Sequence, residues 1–208
     1  MGADGIYDLG GDLGNAAGLG SGAVEYEREF TNGDNVPVSG TGTLFLQFNA
    51  ETTNNFVSLG LSPANPTSTS LATPFRLQNG TIRVGQDDGT GYDDTGLTYI
   101  ADTTYSVWLV ADNDANLFDA YIQGGAYAAQ TFVGDGAFQP GAGNLGLLSE
   151  FFVRAEAGND DLDALPLYLD NIYVDTAGQN LTNPIPEPST LALIGLGGLA
   201  LTRRKPRA

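Results

Sequence analysis

Three glutamates at alternating positions near the start of the chain are candidates for acid/base or nucleophilic catalysis. Glu25, Glu27 and Glu29 lie within residues 24–30, a run of β-strand composition. Side chains of a strand alternate between its two faces, so the three carboxylates are predicted to share one face. Two carboxyl groups about 5 Å apart can serve as nucleophile and acid/base in glycoside hydrolysis. An Asp between the glutamates and a lining of aromatic residues are missing, which favours a solvated strand face over a catalytic pair.

Acidic residues in two other segments could hold a divalent cation. Asp112, Asp114 and Asn116 repeat the first three ligand positions of a calcium loop, but Leu117 stands where that loop requires Gly. This departure favours a hairpin turn there. A second segment, residues 87–94, has carboxylates on both sides of Gly-Thr-Gly-Tyr and is predicted to be a loop. This loop could hold calcium, and the alternative is that its carboxylates are simply solvated. The candidate ligands are Asp87, Asp88, Asp93 and, on a later strand, Asp170.

Two tyrosines near the acidic loop are candidates for carbohydrate contact. Tyr92 and Tyr99 lie in a polar segment, where an exposed aromatic face could stack on a sugar ring while a nearby acid accepts hydroxyl hydrogen bonds. Packing in the core or at a strand edge is the alternative for both residues. Trp108 lies inside an apolar run and is predicted to be buried in the core.

Composition excludes several classes of function. The 208 residues contain neither Cys nor His, which rules out disulfides, thiolate zinc sites and nucleophiles activated by histidine. The formal net charge is −17, and residues 1–185 hold 24 acidic residues against Arg28, Arg76, Arg83 and Arg154, a charge of −20. Such a surface repels phosphate backbones, so we expect no nucleic-acid partner.

The C-terminal residues have the composition of a membrane-directed tail. Pro184, Pro186 and Pro188 favour an extended joint, and the 14 residues from Ser189 to Thr202 carry no charge. As a helix these would span roughly 21 Å, short of the roughly 30 Å hydrocarbon core. A basic cluster follows, which would stay in the cytoplasm and leave the acidic domain outside. The chain lacks a secretion signal at its start, so we interpret Met1 as an addition to a mature sequence.

Short runs of β composition fill the region between the termini. Turn signals separate them, and Asn79-Gly80 between two runs predicts a two-residue hairpin. About ten short strands without a competing helix favour an all-β fold, a two-sheet antiparallel jelly-roll sandwich. The predicted strands cover residues 24–30, 43–49, 56–61, 75–78, 81–86, 105–111, 118–123, 129–133, 145–155 and 167–175.

The tail closely resembles the PEP-CTERM sorting signal of Gram-negative bacteria. A proline-glutamate-proline motif, an apolar helix and an Arg-rich end occur in that order at the chain terminus. The resemblance implies secretion, recognition by an exosortase in the inner membrane, and delivery to the cell surface or its polysaccharide matrix. The sorting residues are Pro186, Glu187, Pro188, Arg203, Arg204 and Lys205.

The second half of the folded region resembles the concanavalin A-like, laminin G-like jelly rolls. The resemblance rests on residues 105–116, residues 118–122 and the closing Leu169-Asp-Asn-Ile-Tyr-Val-Asp. It implies carbohydrate binding or cell-surface adhesion in many relatives, calcium in some and polysaccharide cleavage in others. In the resembling folds the closing strand lies beside the N-terminal strand and sometimes supplies a metal ligand, which is the basis for Asp170.

These observations predict a β-sandwich domain at residues 1–183, a Pro-rich joint at 184–190, and a hydrophobic helix with a basic end at 191–208. We expect an exported, non-catalytic cell-surface or extracellular-matrix protein with glycan binding as its candidate activity. Its expected partners are an exosortase, a polysaccharide, and the membrane through the C-terminal helix before processing. Calcium is the expected cofactor.

A polysaccharide hydrolase or lyase is the first alternative to this function, although the presence of four arginines and no lysine or histidine before the tail disfavours a lyase. A structural subunit of surface fibres is the second.

Overall fold

The fold is that of a two-sheet antiparallel sandwich, as predicted. The computed structural model describes residues 6–8, 24–29, 38–64, 67, 69–142, 147–155 and 167–185, with the backbone alone for 6–8, 24–29 and 155. The described residues contain twelve strands, which form two six-stranded sheets. They are β1 (Ile6–Asp8), β2 (Val24–Glu29), β3 (Thr41–Ala50), β4 (Phe56–Ser62), β5 (Phe75–Gln78), β6 (Thr81–Gly85), β7 (Tyr92–Thr98), β8 (Thr104–Asp112), β9 (Leu117–Gly124), β10 (Tyr127–Ala137), β11 (Glu150–Ala155) and β12 (Leu167–Asp175).

The chain crosses repeatedly between the two sheets. Sheet A has the order β1-β12-β3-β8-β9-β10, and sheet B has the order β2-β11-β4-β5-β6-β7. The closing strand β12 pairs with the N-terminal strand β1, as the family resemblance implies, with Ile6 opposite Asp175. All strand pairs among the described residues are antiparallel, so the register shows which residues share a face of each sheet.

Alternating apolar residues form the core between the sheets. Leu44, Leu46 and Phe48 of β3 are buried, and Phe75 and Leu77 of β5 face them from sheet B. This pattern of period two is the sequence signal that made these strands predictable.

The hairpin between β5 and β6 turns at the predicted dipeptide. Asn79 and Gly80 have φ angles of 50° and 77°, the two left-handed residues of a type I′ turn. Since the turn fixes the register, Arg76 and Arg83 are direct partners across it.

Two strands were absent from the sequence prediction. β1 has only three residues, and β7 begins at Tyr92, inside the predicted acidic loop of residues 87–94. Residues 87–91 do form a turn, but the loop prediction was wrong for residues 92–94, because they start an edge strand, where exposed Asp and Gly are tolerated and protect the edge from pairing with other chains. The predicted strand at residues 145–155 begins only at Glu150. The predicted C-terminal helix and basic end lie outside the described residues.

Candidate functional site

One row of polar side chains crosses the outer face of sheet B, the face turned away from the core. Direct partners in an antiparallel ladder share a face. The registers align Arg154 of β11 with Ser58 of β4, Ser58 with Arg76, Arg76 with Arg83, and Arg83 with Asp94 of β7. This arginine row, defined as Arg154, Ser58, Arg76, Arg83 and Asp94, collects three of the four arginines of residues 1–185.

Arg76 at the centre of the row is held by aromatic rings. Its guanidinium carbon lies 3.7 Å from the ring centroid of Tyr92 and 4.4 Å from that of Phe56. Its Nε donates a hydrogen bond of 2.8 Å to Ser58 Oγ. Cation–π contacts of this kind contribute about 0.5–2 kcal/mol each, depending on desolvation. The side chain is therefore positioned before any ligand arrives.

Arg83 has a different environment. Its Nη2 lies 3.6 Å from Asp94 Oδ2, with 30% of the Arg83 side chain and 48% of the Asp94 side chain exposed. Its Nε is buried, and no hydrogen-bond partner for it occurs among the described residues. A surface ion pair with this geometry contributes little to stability, so Arg83 retains capacity to interact with a ligand.

Sequence reasoning missed the arginine row, although a signal was available. Arg76 and Arg83 lie at equal distances from the Asn79-Gly80 turn, and a two-residue hairpin makes such residues direct partners. Arg154 joins the row only through the pairing of β11 with β4, which the sequence pattern does not reveal.

The predicted carbohydrate-binding tyrosines have different environments. Tyr92 is half-buried on the outer face of sheet B, and one face of its ring contacts Arg76. Tyr99 is only 1% exposed and packs edge-to-face on Phe48, and its hydroxyl donates to Thr53 O. Burial raises the pKa of Tyr99. The structure gives Tyr99 the core packing weighed as its alternative, and only Tyr92 remains accessible to a sugar.

The acids of the predicted calcium loop are spread around its turn and along β7. Asp88 accepts hydrogen bonds from the backbone N and Oγ1 of Thr90, and these bonds lower the pKa of Asp88. Asp93 accepts from the amide of Gln86. Asp87 lies within the turn and is exposed. Within the described part of the chain, no group of three or more acidic residues could hold a metal ion. Calcium binding here stays a prediction.

Asp170 lies where β12 is irregular. The register shifts between Asp170 and Tyr173, and Asn171 adopts a left-handed φ of 50°. The Asp170 carboxylate accepts hydrogen bonds from the backbone N and the side-chain amide of Asn171. Its role as a calcium ligand is likewise still a prediction.

The two remaining acidic motifs of the sequence lie at the hairpin between β8 and β9 and on β2. Asp112 accepts from the backbone N of Asp114 and of Ala115, which caps the turn between β8 and β9 and gives the hairpin that the sequence favoured over a calcium loop. Glu25, Glu27 and Glu29 pair along the backbone with Arg154, Phe152 and Glu150. The side chains of the three β2 glutamates lie outside the described residues.

The outer face of sheet A is covered by the segment that follows β12. Residues 176–185, here called the C-terminal strap, fold back over β3 and β8. Thr182 O accepts a 3.1 Å hydrogen bond from Trp108 Nε1, and Thr43 Oγ1 donates to Gly178 O and accepts from Asn180 N. Trp108 is 1% exposed, so its predicted burial is confirmed, but it packs beneath the strap against Phe45 and outside the inter-sheet core.

The strap extends past the predicted end of the domain. Pro184, assigned from sequence to the joint, lines a small cleft with Phe45 and Tyr173. The sorting residues Pro186, Glu187, Pro188, Arg203, Arg204 and Lys205 lie outside the described residues. Among the described residues no helix is long and apolar enough to cross a membrane.

A pair of carboxylates also lies on sheet A. Asp119 of β9 is the register partner of Asp135 of β10. Partial burial raises the pKa of Asp119, and the nearby charge of Asp135 raises it further. Burial and Asp119 likewise raise the pKa of Tyr121. The sequence offered no signal for this pair, because the bulges of β10 set its register.

Comparison with known proteins identifies the tail and the fold. Residues 184–207 match the PEP-CTERM protein-sorting motif. No curated protein matches the sequence significantly. The structure is similar to a GH131 beta-glucanase catalytic domain from Podospora anserina, with a TM-score of 0.51, 12% identity, and coverage of 81% of this chain and 73% of that one.

Two further structures extend the comparison. Peanut lectin has a TM-score of 0.50 at 8% identity over 84% of this chain and 91% of the lectin. The catalytic domain of a glycoside hydrolase family 131 protein from Coprinopsis cinerea has a TM-score of 0.46 at 9% identity over 72% of this chain, which spans 59% of that domain. At these identities the similarity shows the fold alone. The chain therefore combines a concanavalin A-like jelly-roll domain with a PEP-CTERM sorting motif at residues 184–207, and this motif indicates export to the cell surface.

Proposed function

We propose that this chain is an exported, non-catalytic protein of the cell surface or extracellular matrix that binds polysaccharide through the outer face of sheet B. The observation that carries the proposal is Arg76, held against the rings of Phe56 and Tyr92 on a face with further arginines. Sugar-binding sites combine aromatic surface with a few fixed polar groups, and this face offers both.

The two faces of the sandwich differ in what they offer to a long ligand. Phe45 and Trp108 at the centre of sheet A are 3% and 1% exposed beneath the C-terminal strap. On sheet B, the half formed by β5, β6 and β7 keeps Arg76, Gln78 and Arg83 partly exposed. A polymer could lie across these strands without displacing a described segment.

The chemistry of the chain supports a non-catalytic role. It has no His or Cys. In the candidate calcium segment, Asp88 accepts hydrogen bonds from Thr90, and Asp93 accepts one from the amide of Gln86. The first alternative function is that of a polysaccharide hydrolase or lyase, and the second is that of a structural subunit of surface fibres.

For export, the proposed partner is an exosortase, and the tail is proposed to contact the membrane before processing.

The test is a binding and turnover screen of the full chain in detergent against β-glucans, agar, alginate and xylan. We expect retention by at least one polymer and no release of reducing sugar. Phe56→Ala and Tyr92→Ala should each weaken binding, by roughly ten-fold for a loss of 1–2 kcal/mol. Phe132→Ala is the matched control, because Phe132 is an exposed aromatic residue of sheet A.

Two results would contradict this proposal. An equal loss of binding in Phe132→Ala and Tyr92→Ala would show that the outer face of sheet B is not the specific binding surface. Turnover that Glu25→Gln or Glu29→Gln abolishes would identify a hydrolase.

Calcium is proposed as a stabilising ligand of the domain. A domain with a charge of −20 over residues 1–185 concentrates carboxylates, and a cation that binds the folded form better raises its stability by mass action. We expect millimolar calcium to raise the melting temperature more than magnesium does at matched ionic strength, and Asp170→Asn to reduce the difference. Equal rises in both salts, unchanged by Asp170→Asn, would leave only general screening.

A further inference from the structure

The arginine row is a cluster of arginines in a strongly acidic domain, and beyond it on β2 Glu25 is the register partner of Arg154. Residues 1–185 contain only four arginines and no lysine, and three of the four lie in one row on sheet B. Neighbouring strands are about 4.8 Å apart, so Arg76 and Arg83 are adjacent, and Arg154 lies two strands from Arg76.

Direct cross-strand pairing of two arginines lowers the stability of the sheet, and the need for a soluble surface does not explain why the two arginines are paired. Like charges directly opposite each other in a sheet destabilise it. Asp94 lies 3.6 Å from Arg83, and Arg76 is held by two aromatic rings and Ser58. The two arginines are thus direct cross-strand partners on a partly exposed face, an arrangement that a ligand with repeated negative charges would stabilise.

We propose that the ligand of this face is an anionic polysaccharide whose sugars carry carboxylates. The inference rests on the proposed function and names its substrate class. The guanidinium group is planar, and its parallel N–H donors match the two oxygens of a carboxylate. The rings of Phe56 and Tyr92 beside Arg76 supply the apolar surface that the faces of sugar rings require.

The acidity of the rest of the domain does not prevent such binding. The Debye length is about 8 Å at physiological ionic strength, so exposed carboxylates on sheet A, across the sandwich, are screened from a ligand on sheet B. On sheet B itself, the backbone position of Glu25 is three strands, roughly 14 Å, from that of Arg76, which is also more than one Debye length. Direct contacts in the row are screened much less. Sheets pack about 10 Å apart, so the two outer faces are separated by more than one Debye length.

The test compares two polymers with the same backbone. Polygalacturonate carries a carboxylate on each sugar, and its fully methyl-esterified form carries none. Binding of the full chain in detergent is measured at 0.15 M salt by calorimetry, with a sulfated galactan and a neutral β-glucan as further ligands. We expect polygalacturonate to bind at least ten-fold more tightly than the ester or the neutral glucan, and more tightly than the sulfated polymer.

Variants connect the effect to the row. Arg83→Gln and Arg76→Lys should each weaken polygalacturonate binding by about ten-fold, the effect of one hydrogen bond to a charged group. Arg76→Lys keeps the charge and removes the planar fork. Gln123→Glu on the outer face of sheet A is the control, because it changes net charge by the same amount as Arg83→Gln. Melting temperatures confirm that each variant is folded.

Each contrary outcome has a distinct meaning. Equal binding of polygalacturonate and its ester, or tighter binding of the neutral glucan, would overturn the carboxylate inference and leave the proposed function intact. Sulfated galactan binding at least as tightly would also overturn the carboxylate preference. An equal loss in Gln123→Glu and Arg83→Gln would overturn the role of the row. Binding to none of the polymers would contradict both this inference and the proposed function.

Discussion

The cross-strand partner that the sheet register gives to a charged residue largely sets its electrostatic environment in this domain. Arg76 and Arg83 are direct partners, as are Asp119 and Asp135. The arginine pair has Asp94, Ser58 and two rings nearby. The aspartate pair lacks an arginine partner in its ladder, and partial burial together with Asp135 raises the pKa of Asp119. Ionisation of Asp119 therefore opposes folding.

This cost predicts a stabilising substitution. Because the pKa of Asp119 is raised in the folded state, the wild-type domain loses stability as the pH rises from the ordinary value of 3.8 through the folded value. Asp119→Asn removes the charge and should stabilise the domain at pH 7 by roughly 0.2–1 kcal/mol, the scale of a cross-strand pair. Urea unfolding at pH 3 and pH 7 measures the difference, which should vanish at pH 3.

A control separates this local effect from the overall negative charge. Asp114→Asn removes the same charge at an exposed hairpin turn between β8 and β9. Stabilisation of equal size in both variants, or an Asp119→Asn effect that persists at pH 3, would contradict the account.

At the scale of elements, the C-terminal strap completes the hydrophobic packing of sheet A. It contributes little regular structure, yet it covers Phe45 and Trp108 through backbone and side-chain hydrogen bonds. Asn180 organises it, since its side chain donates to Asp175 and accepts from the backbone N and Oγ1 of Thr182. Trp108 is the only tryptophan of the chain, so its fluorescence reports on the strap.

Asn180→Ala should loosen the strap. Loss of these hydrogen bonds is expected to cost about 1–3 kcal/mol and to shift the emission of Trp108 to longer wavelength as water reaches the indole. Asn49→Ala is the control, because Asn49 lies on the same sheet and has a single weak side-chain hydrogen bond to Thr104. Unchanged emission in Asn180→Ala would contradict the role assigned to the strap.

The sequence predicted those elements whose signals are local. Runs of β-strand composition identified β3, β5 and β8, and the Asn79-Gly80 turn identified its hairpin. β7 was missed because its Asp and Gly residues have turn composition, while an edge strand needs hydrogen bonds on one side only. The strap has no periodic pattern, since its stability comes from contacts with residues more than 70 positions earlier in the chain.

The candidate site was predictable only in part. Tyr92 was selected because a tyrosine in a polar segment suggests exposure, and it does lie beside Arg76. The same reasoning selected Tyr99, which is buried because its ring points into the core and packs against Phe48. Arg154 could not be assigned, since the pairing of two strands almost 100 residues apart sets its position.

At the scale of the whole molecule, the two outer faces have separate roles. Near the end of the strap, Pro184 lines a cleft with Phe45 of sheet A, and the sorting motif of residues 184–207 begins at this proline. The arginine row lies on sheet B, on the opposite side of the sandwich. A chain attached through its tail would thus keep the proposed polysaccharide face separate from the point of attachment.

We expect the tail, and not the folded domain, to direct this protein to the surface, and a localisation experiment tests this expectation. The chain is expressed with an added N-terminal secretion signal in a host that has the exosortase system, with and without residues 186–208. Ending at residue 185 keeps the strap, so buried emission from Trp108 verifies that the shortened domain is folded. Replacement of Pro186, Glu187 and Pro188 by alanine, with the apolar and basic segments retained, is the matched control for the motif. We expect the full chain on the cell surface, the shortened chain soluble in the periplasm or medium, and the alanine variant not correctly sorted; surface attachment of the shortened chain equal to that of the full chain would contradict the account.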